Sequence, residues 1–133
     1  MPKIILCRGI QGSGKTTWAK QWVLEDPEHR VRFNNDDIRN MLGKYWVPSR
    51  EGIVSSLKKE FVYSSMMLRY DIIIDNMNLN PKEIEFFENI VENWNNPNGV
   101  LSDMVRESYT IEFKDFLFLF RSALTETLRD PIQ

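Results

Sequence analysis

Residues Gly9-Ile10-Gln11-Gly12-Ser13-Gly14-Lys15-Thr16 restrict the possible folds of this chain more than any other segment, because they fit the pattern G-x-x-x-x-G-K-[ST]. They follow directly on Lys3 to Cys7, a run that is apolar from Ile4 onward and has the character of a strand buried on both faces. From Thr16 to about Leu24 the spacing turns helical, with Trp18, Trp22 and Val23 on one stripe, and Asp26-Pro27 closes the helix. A strand, a glycine-rich turn and a helix in this order gather backbone N–H groups and a helix N-terminus around an anion. Gly9, Gly12, Ser13, Gly14 and Thr17 would then cradle the phosphates of ATP or another nucleoside triphosphate. Lys15 would neutralise the β and γ phosphates, and the Thr16 hydroxyl would ligate Mg²⁺.

The remainder of the chain continues the alternation. Val31 to Asn34 reads as a second, weaker strand, and Asp36-Asp37 stands where a helix N-terminus takes acidic residues. Gly43 to Ser49 has no periodicity and reads as a loop. Ile53, Val54, Leu57, Phe61, Val62, Ser65 and Leu68 recur at helical spacing, predicting a helix from about Arg50 to Leu68. Asp71 to Asp75 is a clear buried strand. Asn80 caps a helix that starts at Pro81 and runs to about Trp94, and Asn95 to Gly99 is a turn-rich break. A strand near Tyr109 to Phe113 and a helix from about Phe116 to Leu128 complete the pattern, unless Phe116 to Phe120 prolongs the strand. Strands alternating with helices predict an α/β fold of three layers, with a mainly parallel sheet of four to five strands. The length of 133 residues suits one domain, expected to span 1–133.

Composition excludes some function classes. No apolar run approaches the roughly 20 residues of a membrane span, and the amino terminus carries no signal-like pattern. With Cys7 as the one cysteine, no internal disulfide forms, which suits a reducing cytoplasm, and Cys7 is expected to pack in the core. A net charge of −2 gives no global attraction to nucleic acid, so any polynucleotide must be held by a local basic patch.

Phosphate loops serve kinases, ATPases and switches alike, and the acidic positions have to separate them. Asp36-Asp37 follows the second strand at the end that faces a nucleotide in this architecture. An Asp there can take the proton of a hydroxyl acceptor, or can simply cap a helix. Asp75 ends the Ile72-Ile73-Ile74 strand, where an acid orients Mg²⁺ through water or serves only as a turn residue. Tyr45, Trp46 and Arg50, with Lys44, form an aromatic and basic surface on which bases could stack, or else pack on the long helix. His29 beside Arg30 and Arg32 reads as a solvated histidine, and Lys58-Lys59 as a solvated helix face.

Several blocks together resemble the phage-type polynucleotide 5′-kinases, the kinase half of the T4-type end-healing enzymes. They are Lys3-Ile4-Ile5-Leu6, Gly12-Ser13-Gly14-Lys15 with Thr17-Trp18-Ala19, Asp36-Asp37 with Arg39, Glu51-Gly52-Ile53-Val54, and Asn78-Leu79-Asn80-Pro81. The resemblance implies that Asp36 is the general base on a 5′ hydroxyl and that Arg39 binds the acceptor's first phosphodiester. It also implies a short C-terminal lid, in which Thr127-Leu128-Arg129-Asp130-Pro131-Ile132 supplies Arg129, with Arg121 in reserve, to brace the donor phosphates. The acceptor would be the 5′-hydroxyl end of DNA or RNA. In the family an aspartate immediately precedes Thr-Asn-Leu-Asn-Pro, whereas here that position is Asn76 and the acid is Asp75. No Asp-x-Asp-x-Thr motif is present, so 3′-phosphatase activity is not expected. Two other functions fit the same loop: a small-molecule kinase for a nucleoside, nucleotide or sugar, and a non-catalytic nucleotide-binding module.

Overall fold

The computed structural model describes residues 2–77, 80–99 and 107–116. Over these residues the chain runs β1 (Lys3–Arg8), α1 (Lys15–Glu25), β2 (Arg30–Phe33), α2 (Asn35–Met41), a 3₁₀ turn at Pro48–Arg50, α3 (Glu51–Met67), β3 (Asp71–Ile74), α4 (Pro81–Asn95) and β4 (Thr110–Asp115). The four strands form one parallel sheet in the order β2-β3-β1-β4. β1 therefore lies between β3 and β4, with Ile5 level with Ile73 on one side and Glu112 on the other.

Alternation along β1 sends its side chains into two cores. Ile4 and Leu6 pack with Ile72, Ile74, Val62, Met66, Phe87 and Trp94 beneath α3 and α4. Ile5 and Cys7 face the other way, onto Ala19 and Trp22 of α1 and onto Phe116. Helices on both faces explain why β1 and β3 are uninterrupted apolar runs. No helix among the described residues is long and apolar enough to cross a membrane.

Burial pushes the Cys7 thiol up to about 12, with the nearby Asp75 carboxylate adding to the effect. At pH 8 the thiolate is then only about one part in 10⁴, and the sulfur is inaccessible as well. A maleimide or disulfide reagent should leave the native protein unlabelled and react with Cys7 only after denaturation. Labelling of native protein at the rate of a free thiol would contradict this packing.

Three sequence expectations need correction. The buried stripe of α3 consists of Val54, Lys58, Val62, Ser65 and Met66, while Ile53 and Leu68 are exposed. The seam is rotated because α3 must also meet the start of α4. Lys58 is accordingly not solvated: its Nζ donates to both Glu83 oxygens at 2.9 and 3.2 Å and lies 4.4 Å from the Phe86 ring centre. Asp36 and Asp37 fall in the first turn of α2, where acidic residues are expected, and the cap itself is Asn34, whose Oδ1 accepts from Asp37 N. β4 extends to Asp115, and beyond Phe116 the proposed helix lies outside the described residues. His29 is exposed, as expected for a solvated residue, with Nδ1 2.8 Å from Asp26 Oδ1.

Candidate active site

The connection leaving β1 runs past β3 to β2, whereas the one leaving β3 runs past β1 to β4 in the opposite direction. The C-terminal ends of β1 and β3 therefore form a switch point, where open α/β sheets bind ligands. The turn after β1 is shaped for this. Gly9 N donates to Met77 O, and a Cβ at Gly9 would meet Ser13 Oγ at 2.7 Å and Phe116 Cβ at 2.9 Å. Gly12 and Gly14 have φ of +83° and +94°, values that side-chain-bearing residues rarely adopt. Gly14 caps α1 without any side-chain hydrogen bond, which leaves the first-turn N–H groups directed at whatever occupies the turn.

Two clefts open here. One, of about 400 Å³, is lined by Gln11, Gly12, Gly14, Lys15, Thr16 and Thr17 together with Lys20, Arg32 and Asp37. The other, of about 420 Å³, is lined by Arg39, Tyr45, Asp75, Asn76, Met77 and Glu83 among others. Gln11, Lys15, Asn34 and Asp36 belong to both. Each volume suits a ligand of small-molecule size. Lys15 is 8% exposed and forms no hydrogen bond or ion pair among the described residues. A largely buried ammonium without a partner anion calls for one.

Asp36 lies at the junction. Its Oδ1 accepts from Arg39 Nη1 at 2.7 Å and from Tyr45 OH at 3.0 Å, while Oδ2 carries no hydrogen bond among the described residues. Arg39 is itself held by Glu51, which accepts from Nε at 3.1 Å and Nη2 at 2.6 Å. Hydrogen bonding to Arg39 holds the Glu51 carboxyl below its ordinary value, and the same pairing raises Arg39 further. Bonding to Asp36 raises the Tyr45 phenol, so Tyr45 donates as a neutral hydroxyl at neutral pH. Three of the five guanidinium donors of Arg39 are used, and two stay available. Trp46 stands half-exposed outside Arg39, with the guanidinium 5.7 Å from its ring centre.

Asp75 is fully buried. Its Oδ2 accepts from Arg32 Nε at 2.9 Å and Nη2 at 2.8 Å, and Arg32 Nη1 reaches on to Asp37 Oδ2 at 2.8 Å. Oδ1 of Asp75 has no hydrogen-bond partner among the described residues, nor does Ser13 Oγ. An orphaned carboxylate oxygen beside a phosphate-binding turn fits the water shell of Mg²⁺, which takes one or two protein oxygens and leaves the rest to phosphates and water. The described residues contain no cluster of three or more His, Cys, Asp or Glu that would hold a metal unaided. Asp75 lines the cleft with Arg39, and Thr16 the cleft of the phosphate turn.

Lys15 and Asp36, singled out from sequence, are thus brought together, and Arg39 touches Asp36. Arg129, Arg121, Asn78 and Leu79 lie outside the described residues. Arg32 was missed, although an arginine inside a short strand is a signal of a buried acidic partner. The pairing of Arg39 with Glu51 was missed as well.

Residues 4–106 match the AAA domain family. A chain in the structure of a Pnkp1/Rnl/Hen1 complex superposes with a TM-score of 0.68 at 24% identity, covering 86% of this chain and 35% of the other. A chain in the Pnkp1/Rnl/Hen1 RNA repair complex gives 0.66 at 24% identity, covering 86% and 33%. The chain therefore spans about a third of the length of these solved chains, and the likeness shows the fold. With a matching family over most of its length and a phosphate turn at the sheet's switch point, the chain belongs to the AAA domain family and is a P-loop, kinase-like domain.

Proposed function

We propose that this domain transfers the γ-phosphate of ATP, or another nucleoside triphosphate, to the 5′ hydroxyl of a polynucleotide, as the phage-type 5′-kinases do. One observation carries the proposal: two clefts of ligand size share a cation, Lys15, and a carboxylate, Asp36, with one Asp36 oxygen unengaged among the described residues. A donor in the cleft of the phosphate turn and an acceptor in the cleft of Arg39 would meet between these two groups. Backbone N–H groups from Gly12 to Thr17 and the Lys15 ammonium hold the donor phosphates. The Thr16 hydroxyl, and Asp75 through water, would hold Mg²⁺, which when bound would supply charge neutralisation for the donor phosphates. Asp36 Oδ2 takes the proton as the acceptor oxygen bonds to the γ phosphorus. The bond from that phosphorus to the bridging oxygen breaks, and the nucleoside diphosphate leaves with the electron pair. The two remaining Arg39 donors can meet an acceptor phosphate. In the lid implied by the family resemblance, Arg129 would steady charge on the transferring group.

The choice of a polynucleotide is supported by the sequence blocks shared with 5′-kinases and by a fold shared with chains of an RNA repair complex. A second possibility, a small-molecule acceptor, is favoured by the lining of the acceptor cleft, where Asp36, Asp75 and Glu83 outnumber Lys15 and Arg39. Such a cleft admits one terminal nucleotide rather than a strand, so the rest of a polynucleotide must lie outside, past Tyr45 and Trp46.

The experiment offers γ-labelled ATP with a nucleoside, its 3′-monophosphate or a 5′-hydroxyl oligonucleotide. Label should enter the oligonucleotide and the 3′-monophosphate far better than the nucleoside. Arg39→Ala should raise KM for the oligonucleotide by about 10- to 100-fold, the worth of a charge-assisted bond. It should also lower kcat, since Asp36 loses a partner, while nucleotide affinity is preserved. Preference of the wild type for the bare nucleoside would replace this function with a small-molecule kinase, and no transfer at all would leave a binding module.

A further inference from the structure

We propose that Arg32 is a positioning residue: it ties the base-bearing helix α2 to the buried acid at the end of β3, and so sets where Asp36 stands. The proposal rests on Asp36 being the base. α2 has only seven residues, none of them buried, and Ile38 alone packs part of its side chain on the core. A helix so short gains little from apolar burial, so its place is set by polar ties. Two of these are neutral. Asn34 Nδ2 donates to Asp75 O at 2.5 Å, and Asn35 N donates to Asn76 Oδ1 at 2.8 Å.

The third tie is Arg32, and it is charged at both ends. Nε and Nη2 grip Asp75 Oδ2, while Nη1 holds Asp37 Oδ2, next in sequence to Asp36. Only 15% of the Arg32 side chain is exposed, so water competes weakly for these bonds. Asp75 is fixed by the sheet, through Asp75 N donating to Phe33 O, and cannot follow a drifting helix. Arg32 thus transmits the sheet's rigidity to the first turn of α2, while Arg39 is held separately by Glu51 of α3. Its planar fork is needed for this, because a single ammonium cannot present separated donors to two carboxylates in fixed directions.

Truncating Arg32 would leave Asp75 an uncompensated buried charge, so the test uses Arg32→Lys, which keeps the charge, and Asp37→Ala, which alters only an exposed residue. Each should lower kcat with the accepted acceptor by about tenfold to a hundredfold, as misplacement of a base does. ADP affinity by calorimetry should stay within about twofold, and amide exchange should quicken over residues 35–41 but not in the strands. The double variant should be no worse than the worse single one, because both remove one tie. Unchanged kcat, additive losses, or a loss of ADP affinity matching the loss of kcat would overturn the proposal; the last would make Arg32 a ligand of the donor phosphates. If the wild type phosphorylates none of the three acceptors, the proposed function fails, yet exchange and ADP titration still decide this inference. Faster exchange in α2 with intact ADP binding supports it, and unchanged exchange overturns it.

Discussion

Lys15→Met should abolish measurable phosphoryl transfer while leaving the melting temperature unchanged or higher. Among the described residues that line both clefts, Lys15 is the only cation, and no carboxylate of the described residues pairs with it. Its charge is therefore largely buried with no partner among the described residues to offset the cost, an arrangement that disfavours folding in the free protein and favours binding of a polyphosphate. Methionine keeps the aliphatic stem and deletes the ammonium, so folding loses little and gains relief from the buried charge. Loss of one preorganised group that meets developing charge costs about 10²–10³-fold in kcat, and Lys15 acts on the donor in the ground state as well. The measurements are label transfer under single-turnover conditions and a thermal melt. A variant with full activity would remove Lys15 from the donor site, and a sharply lowered melting temperature would show that the residue is structural.

What the sequence disclosed is the part of the fold written in neighbouring residues. Gly9 to Gly14 lie between a strand and a helix that opens with Lys15 and Thr16, because the apolar run, the glycines and the helical stripe all sit within some twenty residues of one another. Asn80 and Pro81 mark the start of α4 by the same local chemistry, and Asn80 Oδ1 indeed accepts from Lys82 N. The site's supporting bonds are of another kind. Arg32 finds Asp75 across 43 positions, Lys58 finds Glu83 across 25 and Arg39 finds Glu51 across 12. Each pair is decided by the order of strands and by which helix crosses which, and neither periodicity nor spacing encodes that. Lys58 shows the consequence. On the helix's own pattern Leu57 belonged to the apolar stripe and Lys58 to water. The packing of α4 supplies both the carboxylate and the aromatic rings that make a buried lysine tolerable at Lys58. The shift of the acid from Asn76 to Asp75 is of the same type. Asn76 Oδ1 receives Asn35 N, and Asp75 turns inward to Arg32, so the two neighbours divide between α2 and the sheet the contacts near the phosphate turn.

Asp36→Asn should lower kcat by about 10²-fold or more, the scale of general-base catalysis, with little change in nucleotide affinity. The substitution is informative because the network can survive it. Asn offers one carbonyl oxygen, which can take the place of Oδ1 and accept from Arg39 and Tyr45 as the carboxylate does. The amide nitrogen then stands where Oδ2 is, on the side without a hydrogen bond among the described residues, and it cannot take up a proton. Geometry is kept while basicity is lost. Tyr45→Phe provides the contrast, since it removes one donor to Oδ1 and leaves the proton-accepting oxygen in place; its effect should be no more than about tenfold, the worth of one neutral-to-charged hydrogen bond on an exposed residue. The two variants are compared by single-turnover label transfer to a 5′-hydroxyl oligonucleotide and by calorimetric titration with ADP. Equal losses in the two variants would show that Asp36 acts by holding the Tyr45 loop. A loss of ADP affinity in Asp36→Asn as large as the loss in rate would move Asp36 from the acceptor to the donor, where its place in both clefts also puts it in reach.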